Sequence, residues 1–478
     1  MSPQSFGDKD AKRSLYAAYL LRIYLSLNNL GFSVSLPVIT AQYDALEWFA
    51  AILVVGSTAS TIVSAFAGRF TIMLGRKRAA LLFTVGTAVT SLFCAFAGSL
   101  SLFITGYFFM NLFYGVASTM PVALVVDSTD PEERSRFMSL YSVMNNVGSL
   151  LGPLLGGFIT DLFGFRFTPV YPLPLAAVSL FLLARHYKQP AVVVHEPFDF
   201  AGGVLIAGGV GSLIVFLNTA GKQLAWSSPV LWGLGGMFLL CLLVFLCQGR
   251  RCPYAIIPLR MFSIPSFSAA NILIPLILPQ MSLSSNFTLL LVQSGMGRSA
   301  ASSATYAIPK TAAIILMSMV FGRWISHHHT WQKRFVVWGG CIIGAVELCM
   351  GLCGKMEVFP VLLYGFTFIL GIGEAMYYMT LYPLYQRDLD AKQLPAGISA
   401  QFLIAMLSMS LTSTAYGAIL AAMNNDIMAA YPVMCFVTLI PTGLYLLVAL
   451  ACLRSSRDDH LPMEVTFLTG RGKTARRV

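Results

Sequence analysis

Charged residues are scarce in this chain. Asp, Glu, Lys and Arg make up 11% of its 478 residues, whereas hydrophobic residues make up 57% and the mean hydropathy is +0.74. Soluble domains carry about 25% charged residues, because their surfaces face water. The composition therefore excludes a soluble globular enzyme.

Cysteine is present, but its positions do not predict disulfides. Eight of the nine cysteines lie inside predicted apolar segments, and Cys252 lies in a predicted cytoplasmic loop. No predicted extracellular loop holds two cysteines that could pair. His327, His328 and His329 are adjacent in a basic loop, and three neighbouring histidines do not form a defined set of metal ligands. We interpret them as a solvated cytoplasmic turn, and we predict neither a bound metal nor a cofactor.

Long apolar runs, in contrast, are abundant. A hydrocarbon core about 30 Å thick needs roughly 20 apolar residues per helix, and a backbone in lipid must satisfy its own hydrogen bonds. The sequence therefore predicts an all-α integral membrane protein with about fourteen transmembrane helices. The predicted spans lie near residues 14–39, 46–67, 79–99, 101–126, 137–160, 166–186, 198–218, 228–249, 266–292, 301–322, 334–353, 358–384, 396–422 and 428–453.

The basic residues predict the orientation of the chain, because loops rich in Lys and Arg remain in the cytoplasm. With a cytoplasmic N-terminus, most of the 31 lysines and arginines fall in cytoplasmic loops or tails. The exceptions are Arg166, Lys222, Arg298 and Lys355 outside, and Arg22 and Lys310 within spans. We predict a multi-pass protein of the bacterial plasma membrane, with both termini cytoplasmic and no cleavable signal peptide. The net charge of +11 is then a topology signal, and we predict no nucleic-acid partner.

One apolar segment carries a stripe of glycines. It reads Gly148-Ser-Leu-Leu-Gly152-Pro153-Leu-Leu-Gly156-Gly157, so glycines recur every four residues and share one face of a helix. Without side chains on that face, a neighbouring helix can approach backbone to backbone, as helices do in lipid. A Gly-x-x-x-Gly pattern alone indicates only close packing, whereas the longer string with its proline is more specific.

A second motif lies in the predicted cytoplasmic loop after the second span. It contains Gly68, Arg69, Gly75, Arg76 and Lys77. The glycines allow a tight turn between helices, and the basic cluster anchors the loop at the cytoplasmic face. We predict that this loop sets topology and gating and does not bind substrate.

Both motifs resemble those of the major facilitator superfamily. The stripe is similar to its fifth-helix antiporter motif, and residues 68–78 resemble its loop motif. The two predicted spans between 198 and 249 exceed the twelve helices of a simple carrier. The residues beside them, at 199–202 and 226–229, resemble the corresponding residues in the fourteen-helix drug:proton antiporter branch. The resemblance implies two six-helix bundles, at 1–190 and 263–455, with an inserted helix pair at 191–262. A basic cytoplasmic tail would follow at 456–478, and the protein is expected to be a monomer.

Three positions depart from the pattern of that branch. Ile72 stands where the loop motif carries an acid that helps to latch the outward-facing state. Asn28 stands where the branch favours an aspartate, and Phe109 stands near a position where relatives have an arginine linked with proton transfer. These departures leave proton coupling open.

Three ionisable residues lie deep in predicted spans: Lys310, Glu347 and Glu374. A charge at mid-span costs about 3 kcal/mol on insertion scales, so each is a candidate for proton coupling. Glu374 lies on a span that lines the cavity in the family, with a hydrogen bond to a neighbouring helix as the alternative. Glu347 lies on a span that is peripheral in the family, which favours a structural role. Lys310 is equally suited to pair with a carboxylate or with an anionic substrate.

Polar and aromatic side chains within the spans are candidates for lining a substrate cavity. Hydrogen bonding between helices is an equal alternative for the amides of the first span, and simple packing is favoured for the aromatic run of the fourth. Arg22, also in the first span, is expected to extend towards the cytoplasm. The cavity candidates are Asn28, Asn29, Phe109, Tyr114, Gln280, Asn286, Tyr377 and Tyr378.

Three functions are compatible with these features. The first is a proton-coupled exporter of small amphipathic compounds or drugs, driven by a proton gradient and working by alternating access. The second is a uniporter or symporter that imports a small metabolite on the same fold, which the three departures favour. The third is a receptor that moves no solute, and the cost of acids at mid-membrane disfavours it.

Overall fold

The computed structural model describes nine stretches of the chain. They are residues 9–64, 66–129, 134–188, 199–219, 227–251, 259–354, 359–389, 394–454 and 464–465. Within them almost every residue is helical, as a chain without water around its backbone requires.

Eighteen α-helices are present in the described residues. They are α1 (Lys9–Gln42), α2 (Phe49–Ser64), α3 (Ala67–Leu74), α4 (Arg76–Ala95), α5 (Leu100–Ala117), α6 (Met120–Asp127), α7 (Arg134–Phe163), α8 (Leu173–His186), α9 (Phe200–Thr219), α10 (Pro229–Arg251), α11 (Pro265–Ser282), α12 (Thr288–Leu290), α13 (Ala300–Thr305), α14 (Ala307–His327), α15 (Gln332–Cys353), α16 (Phe359–Arg387), α17 (Leu394–Ala422) and α18 (Ile427–Cys452). Two short strands, β1 (Leu453–Arg454) and β2 (Glu464–Val465), pair antiparallel.

The remaining regular segments are short. Four are 3₁₀ turns, at Leu46–Trp48, Phe165–Phe167, Leu259–Ser263 and His329–Trp331. Two are π-helical turns, Leu283–Phe287 and Leu291–Gly295, which continue α11. Pro275 and Pro279 lie inside α11, and the π-helical turns begin only after Ser282. π-Helical turns are rare and are frequent at functional sites.

Membrane-spanning helices dominate the described part of the chain. Twelve helical runs in it are long and apolar enough to cross a membrane, and each coincides with a predicted span. Two further apolar helices are shorter, Leu173–His186 (α8) and Phe200–Leu213 within α9, and they lie at the remaining two predicted positions. The all-helical membrane architecture is thus confirmed, whereas the count of fourteen stays a prediction.

The helices pack into two compact units. The described residues of Met1–Pro258, Ser285–Ile308 and Met409–Ala430 form the first unit, and those of Leu259–Ser284, Pro309–Ser408 and Tyr431–Val478 form the second. These units group residues by packing, not by order along the chain. The domain boundaries predicted near 190 and 455 lie outside the described residues and stay predictions.

The glycine stripe lies in the first unit, against α1. A Cβ atom added at Gly148 would lie 2.6 Å from the Cβ of Ser26, and one at Gly156 would lie 2.6 Å from the Cα of Gly31. Both distances are shorter than real Cβ contacts, so only glycine fits at these positions. The predicted close helix contact is confirmed, with α1 as the partner of α7.

α1 and α7 run parallel along this contact. The hydroxyl groups of Ser35 and Thr160, 125 positions apart in the chain, lie 2.7 Å apart, and Thr168 joins them at 3.0 and 2.8 Å. Beyond the helix ends, the rings of Tyr43 and Phe165 meet with centroids 6.4 Å apart. A buried hydroxyl cluster therefore fixes the register that the glycines make possible.

The end of α7 also contacts α13, within the same unit. A Cβ at Gly157 would lie 2.7 Å from the carbonyl oxygen of Ala300. One turn on, the carboxylate of Asp161 accepts hydrogen bonds from the backbone N–H groups of Ala300, at 2.9 Å, and Ala301, at 2.8 Å. Asp161 on α7 thus caps the N-terminus of α13, a helix that is distant in sequence, and links the two helices.

Replacing Asp161 with alanine should lower the melting temperature of the purified protein, because two charge-assisted hydrogen bonds between helices are lost. We expect a cost of about 1–2 kcal/mol, the upper range for a helix cap. Asp426→Ala is the matched control, because in the described part of the chain Asp426 caps its own helix, through the N–H groups of Met428 at 2.9 Å and Ala429 at 3.4 Å. A smaller effect for Asp161→Ala than for this control would contradict a tie between α7 and α13.

Candidate functional site

Two glycines on α16 determine how closely its neighbours approach. A Cβ at Gly371 would collide with the carbonyl oxygen of Lys310 on α14, and one at Gly373 would lie 3.1 Å from that of Gly339 on α15. The backbone of α16 therefore touches α14 on one side and α15 on the other. Glu374 follows directly and is fully buried, with 0% of its surface exposed.

The close approach of α14 brings Lys310 to Glu374. The Lys310 ammonium lies 2.7 Å from Oε1 of Glu374, and it donates a hydrogen bond to the Ser284 hydroxyl, also at 2.7 Å. Ser284 lies in the first π-helical turn after α11. The widened turn thus supplies the third member of the site.

The two charges differ in access to solvent. The Lys310 side chain is 12% exposed and the Glu374 side chain 1%. Apart from this ion pair, no described residue donates a hydrogen bond to the Glu374 carboxylate, so Lys310 is its main compensation. A buried carboxylate held by one cation is costly if that cation is removed, because the remaining charge would be unpaired.

A cluster of tyrosines continues from Glu374 along α16. The rings of Tyr377 and Tyr378 stack with centroids 4.4 Å apart, and Tyr382 lies 5.2 Å from Tyr378. The hydroxyl groups of Tyr377 and Tyr378 lie 3.1 and 3.5 Å from the Met281 sulfur on α11. Tyr377 is fully buried, and a role of these rings in lining a substrate cavity stays a prediction.

Two further polar candidates, Gln280 and Asn286, come from the ninth predicted span. Gln280 is 1% exposed, and its amide nitrogen lies 3.4 Å from the Ser284 hydroxyl. Its amide oxygen is buried without a partner among the described residues. Asn286 is half-buried and belongs to the first unit. Gln280 therefore adjoins the Lys310 site, through Ser284.

Glu347 lies apart from that site, on α15. It is fully buried, and its Oε2 accepts a hydrogen bond of 3.1 Å from the Thr442 hydroxyl on α18. Its second oxygen has no partner among the described residues, and no cation there pairs with it. A hydrogen bond between two helices matches the structural role that the sequence favours for Glu347.

Arg22 differs from its prediction. Its Nε donates a hydrogen bond of 2.7 Å to the side-chain oxygen of Asn145 on α7, and its Nη2 donates to the same oxygen. Its guanidinium carbon lies 5.8 Å from the centroid of the Tyr141 ring. Arg22 is therefore held inside the first unit and does not extend to the helix end. The sequence signal for this contact was a polar residue, Asn145, inside a predicted span.

The remaining candidates lie elsewhere in the first unit. Asn28 is 1% exposed and donates a hydrogen bond of 2.9 Å to the Ser91 hydroxyl on α4, which agrees with hydrogen bonding between helices. Asn29 and Tyr114 are half-buried. Phe109 is 46% exposed and packs edge-on against Phe108. A shared cavity for these residues stays a prediction.

The basic loop motif has a defined partner. Gly75 ends α3 and precedes α4 with a φ of +78°, a conformation that glycine adopts without strain. Next to it, Arg76 forms an ion pair with the buried Asp127 at the end of α6, and the Tyr187 hydroxyl donates to Asp127 at 2.6 Å. Burial and the nearby carboxylate raise the pKa of Tyr187, so its hydroxyl remains a donor. Gly68 and Arg69 lie in α3, where the structure does not describe the Arg69 side chain.

Neutralising Arg76 and Lys77 together should slow turnover about tenfold, or disturb insertion, and should leave the apparent substrate KM nearly unchanged. The reason is that Arg76 is the cation that compensates Asp127, and the loss of such a pair costs about 1–3 kcal/mol. Arg78→Gln is the matched control, because Arg78 is exposed. A large rise in KM at an unchanged maximal rate would show that these residues contact substrate instead.

The helical membrane architecture, the backbone contacts at glycines and the ion pair describe a polytopic membrane protein, and the family match to residues 18–413 makes it a transporter and not an enzyme. The chain belongs to the Major Facilitator Superfamily, whose family pattern matches residues 18–413.

Curated relatives agree with that assignment. Multidrug resistance protein 3 of Bacillus subtilis (strain 168) is 24% identical over 410 residues, which cover 84% of this chain and 78% of the relative. Multidrug transporter protein MdtP of the same organism is 20% identical over 422 residues, which cover 88% and 77%. Both names describe multidrug proteins.

Solved structures share the fold at low identity. An auto-inhibited peptide transporter of the POT family superposes with a TM-score of 0.67 and 14% identity, covering 92% of this chain and 95% of that chain. A D-xylose-proton symporter superposes with a TM-score of 0.62 and 13% identity, covering 91% and 97%. These similarities define the fold alone.

Proposed function

We propose that this chain is a proton-coupled exporter of small amphipathic compounds, with Glu374 as the proton site and Lys310 as its switchable partner. The observation that carries the proposal is the ion pair between them at 2.7 Å, because charges inside a membrane are costly and mark functional positions. The multidrug names of the two Bacillus subtilis relatives support an exported substrate.

Protonation of Glu374 would remove its attraction for Lys310 and leave the ammonium with Ser284 alone. A proton drives transport only if it binds one conformation more tightly than the other. Because Glu374 is fully buried, exchange of its proton requires neighbouring helices to move. We infer that proton loading accompanies a separation of α14 from α16 at Gly371.

The proposal extends to the arrangement in the membrane. α9 contains 20 residues, about 30 Å of helix, and it packs along α10. We propose that α8 and α9 also cross the membrane, which makes fourteen spans with both termini in the cytoplasm of a bacterial cell. The two six-helix bundles would then be 1–190 and 263–455, with the inserted pair at 191–262, and the transporter would act as a monomer.

Dye accumulation in proteoliposomes tests this function. Ethidium, Nile red and carboxyfluorescein serve as cationic, neutral and anionic probes, and a pH gradient of either direction is imposed. An antiporter should accumulate at least one dye when the vesicle lumen is acidic, because protons leave as the dye enters. Equilibration that ignores the gradient would contradict proton coupling, and drug sensitivity of a deletion strain tests export in the cell.

A symporter is the second candidate, and the same ion pair favours it. Lys310 already occupies the position beside Glu374 that a cationic substrate would need. Protonating Glu374 releases a cation for an anionic solute, so proton and anion would bind cooperatively and move together. Accumulation of carboxyfluorescein when the exterior is acidic would identify this mode.

A further inference from the structure

Arg22 and Asn145 lie at the same depth in the first unit. Arg22 is eight residues beyond the start of the first predicted span, and Asn145 is eight residues beyond the start of the fifth, roughly 12 Å along each parallel helix. Two guanidinium nitrogens of Arg22, Nε and Nη2, donate to the single side-chain oxygen of Asn145. One edge of the guanidinium is thereby fixed in place.

The charge of Arg22 has no counter-charge in the part of the chain that the structure describes. No ion pair there includes Arg22, whereas Lys310, the other cation within a predicted span, pairs with Glu374. Arginine does not lose its proton in proteins, so the charge persists at this depth. The neighbours Asn145, Tyr141 and Tyr114 are all neutral.

The second edge of the guanidinium has no hydrogen-bond partner among the described residues. Arginine carries five N–H donors, and two are used by Asn145, which leaves both hydrogens of Nη1 and one of Nη2. Two parallel donors of this kind bind a carboxylate, sulfonate or phosphate in a bidentate manner. Arg22 is half-buried and not sealed, and the Tyr141 ring beside it suits an aromatic body attached to the anionic group.

We propose that Arg22 binds the negatively charged group of the transported solute, so that the substrates of this chain include aromatic organic anions. The inference rests on the proposed function only in that the chain binds a solute for transport. It requires neither proton coupling nor a direction of transport. The alternative is a purely structural role, in which Arg22 joins α1 to α7 through Asn145.

The test is equilibrium binding to the full-length protein in detergent, at one pH and without a gradient. Four naphthalene probes of one shape are compared by thermal stabilisation: 2-naphthoate, 2-naphthalenesulfonate, 2-naphthamide and 2-naphthylmethylammonium. The proposal expects at least one anion to bind tenfold or more tightly than the amide and the ammonium. Equal affinities, a preference for the ammonium or no stabilisation by either anion overturns it.

Two variants separate binding from structure. Arg22→Gln should lose the preference for anions, with the affinity for 2-naphthamide unchanged. Asn145→Asp keeps an acceptor for Arg22 but supplies an internal counter-charge, so it should fold and should lose anion affinity at least tenfold. If Arg22 only joins helices, Asn145→Asp retains the wild-type preference, and this outcome overturns the proposal even where Arg22→Gln fails to fold.

Arg166→Gln is the matched control. Arg166 is also 5.8 Å from an aromatic ring, that of Phe165, but it is exposed, so its removal should leave all four affinities unchanged. A failure of proton coupling would appear in the gradient-driven dye experiment and would leave these equilibrium affinities untouched. The two proposals therefore fail independently.

Discussion

Glu374→Gln is expected to abolish dye accumulation driven by an acidic vesicle lumen, while exchange of dye down its own gradient continues. Glutamine has nearly the shape of a protonated glutamate and cannot release a proton. The variant therefore holds the site in one protonation state, and coupling needs two states with different affinities. Both activities are measured in the same proteoliposomes across a series of imposed pH gradients.

Glu347→Gln is the matched control, because Glu347 is equally buried but bonds to Thr442 and has no cation beside it among the described residues. It should retain gradient-driven accumulation. Wild-type accumulation by Glu374→Gln would assign the proton to Glu347 or to neither residue. Loss of exchange as well would indicate that Glu374 binds substrate or supports the fold.

Lys310→Gln tests the ion pair from its other side. Alone, it leaves the buried Glu374 carboxylate without a counter-charge, so we expect it to be less stable than Glu374→Gln. Combining Lys310→Gln with Glu374→Gln removes both charges and should restore stability without restoring coupling. If the effects of the two substitutions on stability simply add, the residues do not interact.

Leucine at Gly152 or Gly156 is expected to reduce transport at least tenfold, with normal amounts of protein in the membrane. A Cβ at Gly152 would lie 3.0 Å from the Cβ of Leu30, and one at Gly156 would lie 2.6 Å from the Cα of Gly31. A larger side chain must push α7 away from α1, and overpacking of this kind costs about 1–3 kcal/mol or more. Transport is compared with membrane content measured by quantitative immunoblotting.

Alanine substitutions at the same two glycines, Gly152 and Gly156, should reduce transport by different amounts. Gly156→Ala should be the more harmful, because its added Cβ would lie 2.6 Å from the nearest atom, the Cα of Gly31, whereas the nearest atom to a Cβ at Gly152 is 3.0 Å away. Gly236→Leu is the control, because nothing lies within 4 Å of a Cβ at that position in α10. Near-normal transport by Gly156→Leu would refute the contact between α1 and α7.

The positions of the helices could be predicted from the sequence because their causes are local. An apolar run of about 20 residues meets lipid as a helix whatever surrounds it, and all of its backbone groups are satisfied within the run. The twelve long helices accordingly lie at predicted spans. The glycine stripe is local in the same sense, since a bare helix face predicts that some backbone will approach it, and α1 does.

Partners, in contrast, depend on register between helices distant in sequence. Lys310 suits a carboxylate or an anion equally by composition, and it meets Glu374 because Gly371 lets the backbone of α14 touch α16. Arg22 has the length to extend along its own helix, but Asn145 lies 123 positions further on and beside it. Ser284 reaches Lys310 from a π-helical turn that no residue pattern marks.

The sequence by itself thus determined that the chain is a bundle of membrane helices with glycine contacts and with a few charges inside the spans. Those properties follow from hydropathy and from side-chain size, which each segment carries alone. Only the tertiary structure decided which of those charges are paired. Pairing depends on the rotation and offset of one helix against another, and an error of one residue turns a side chain by about 100° to another face.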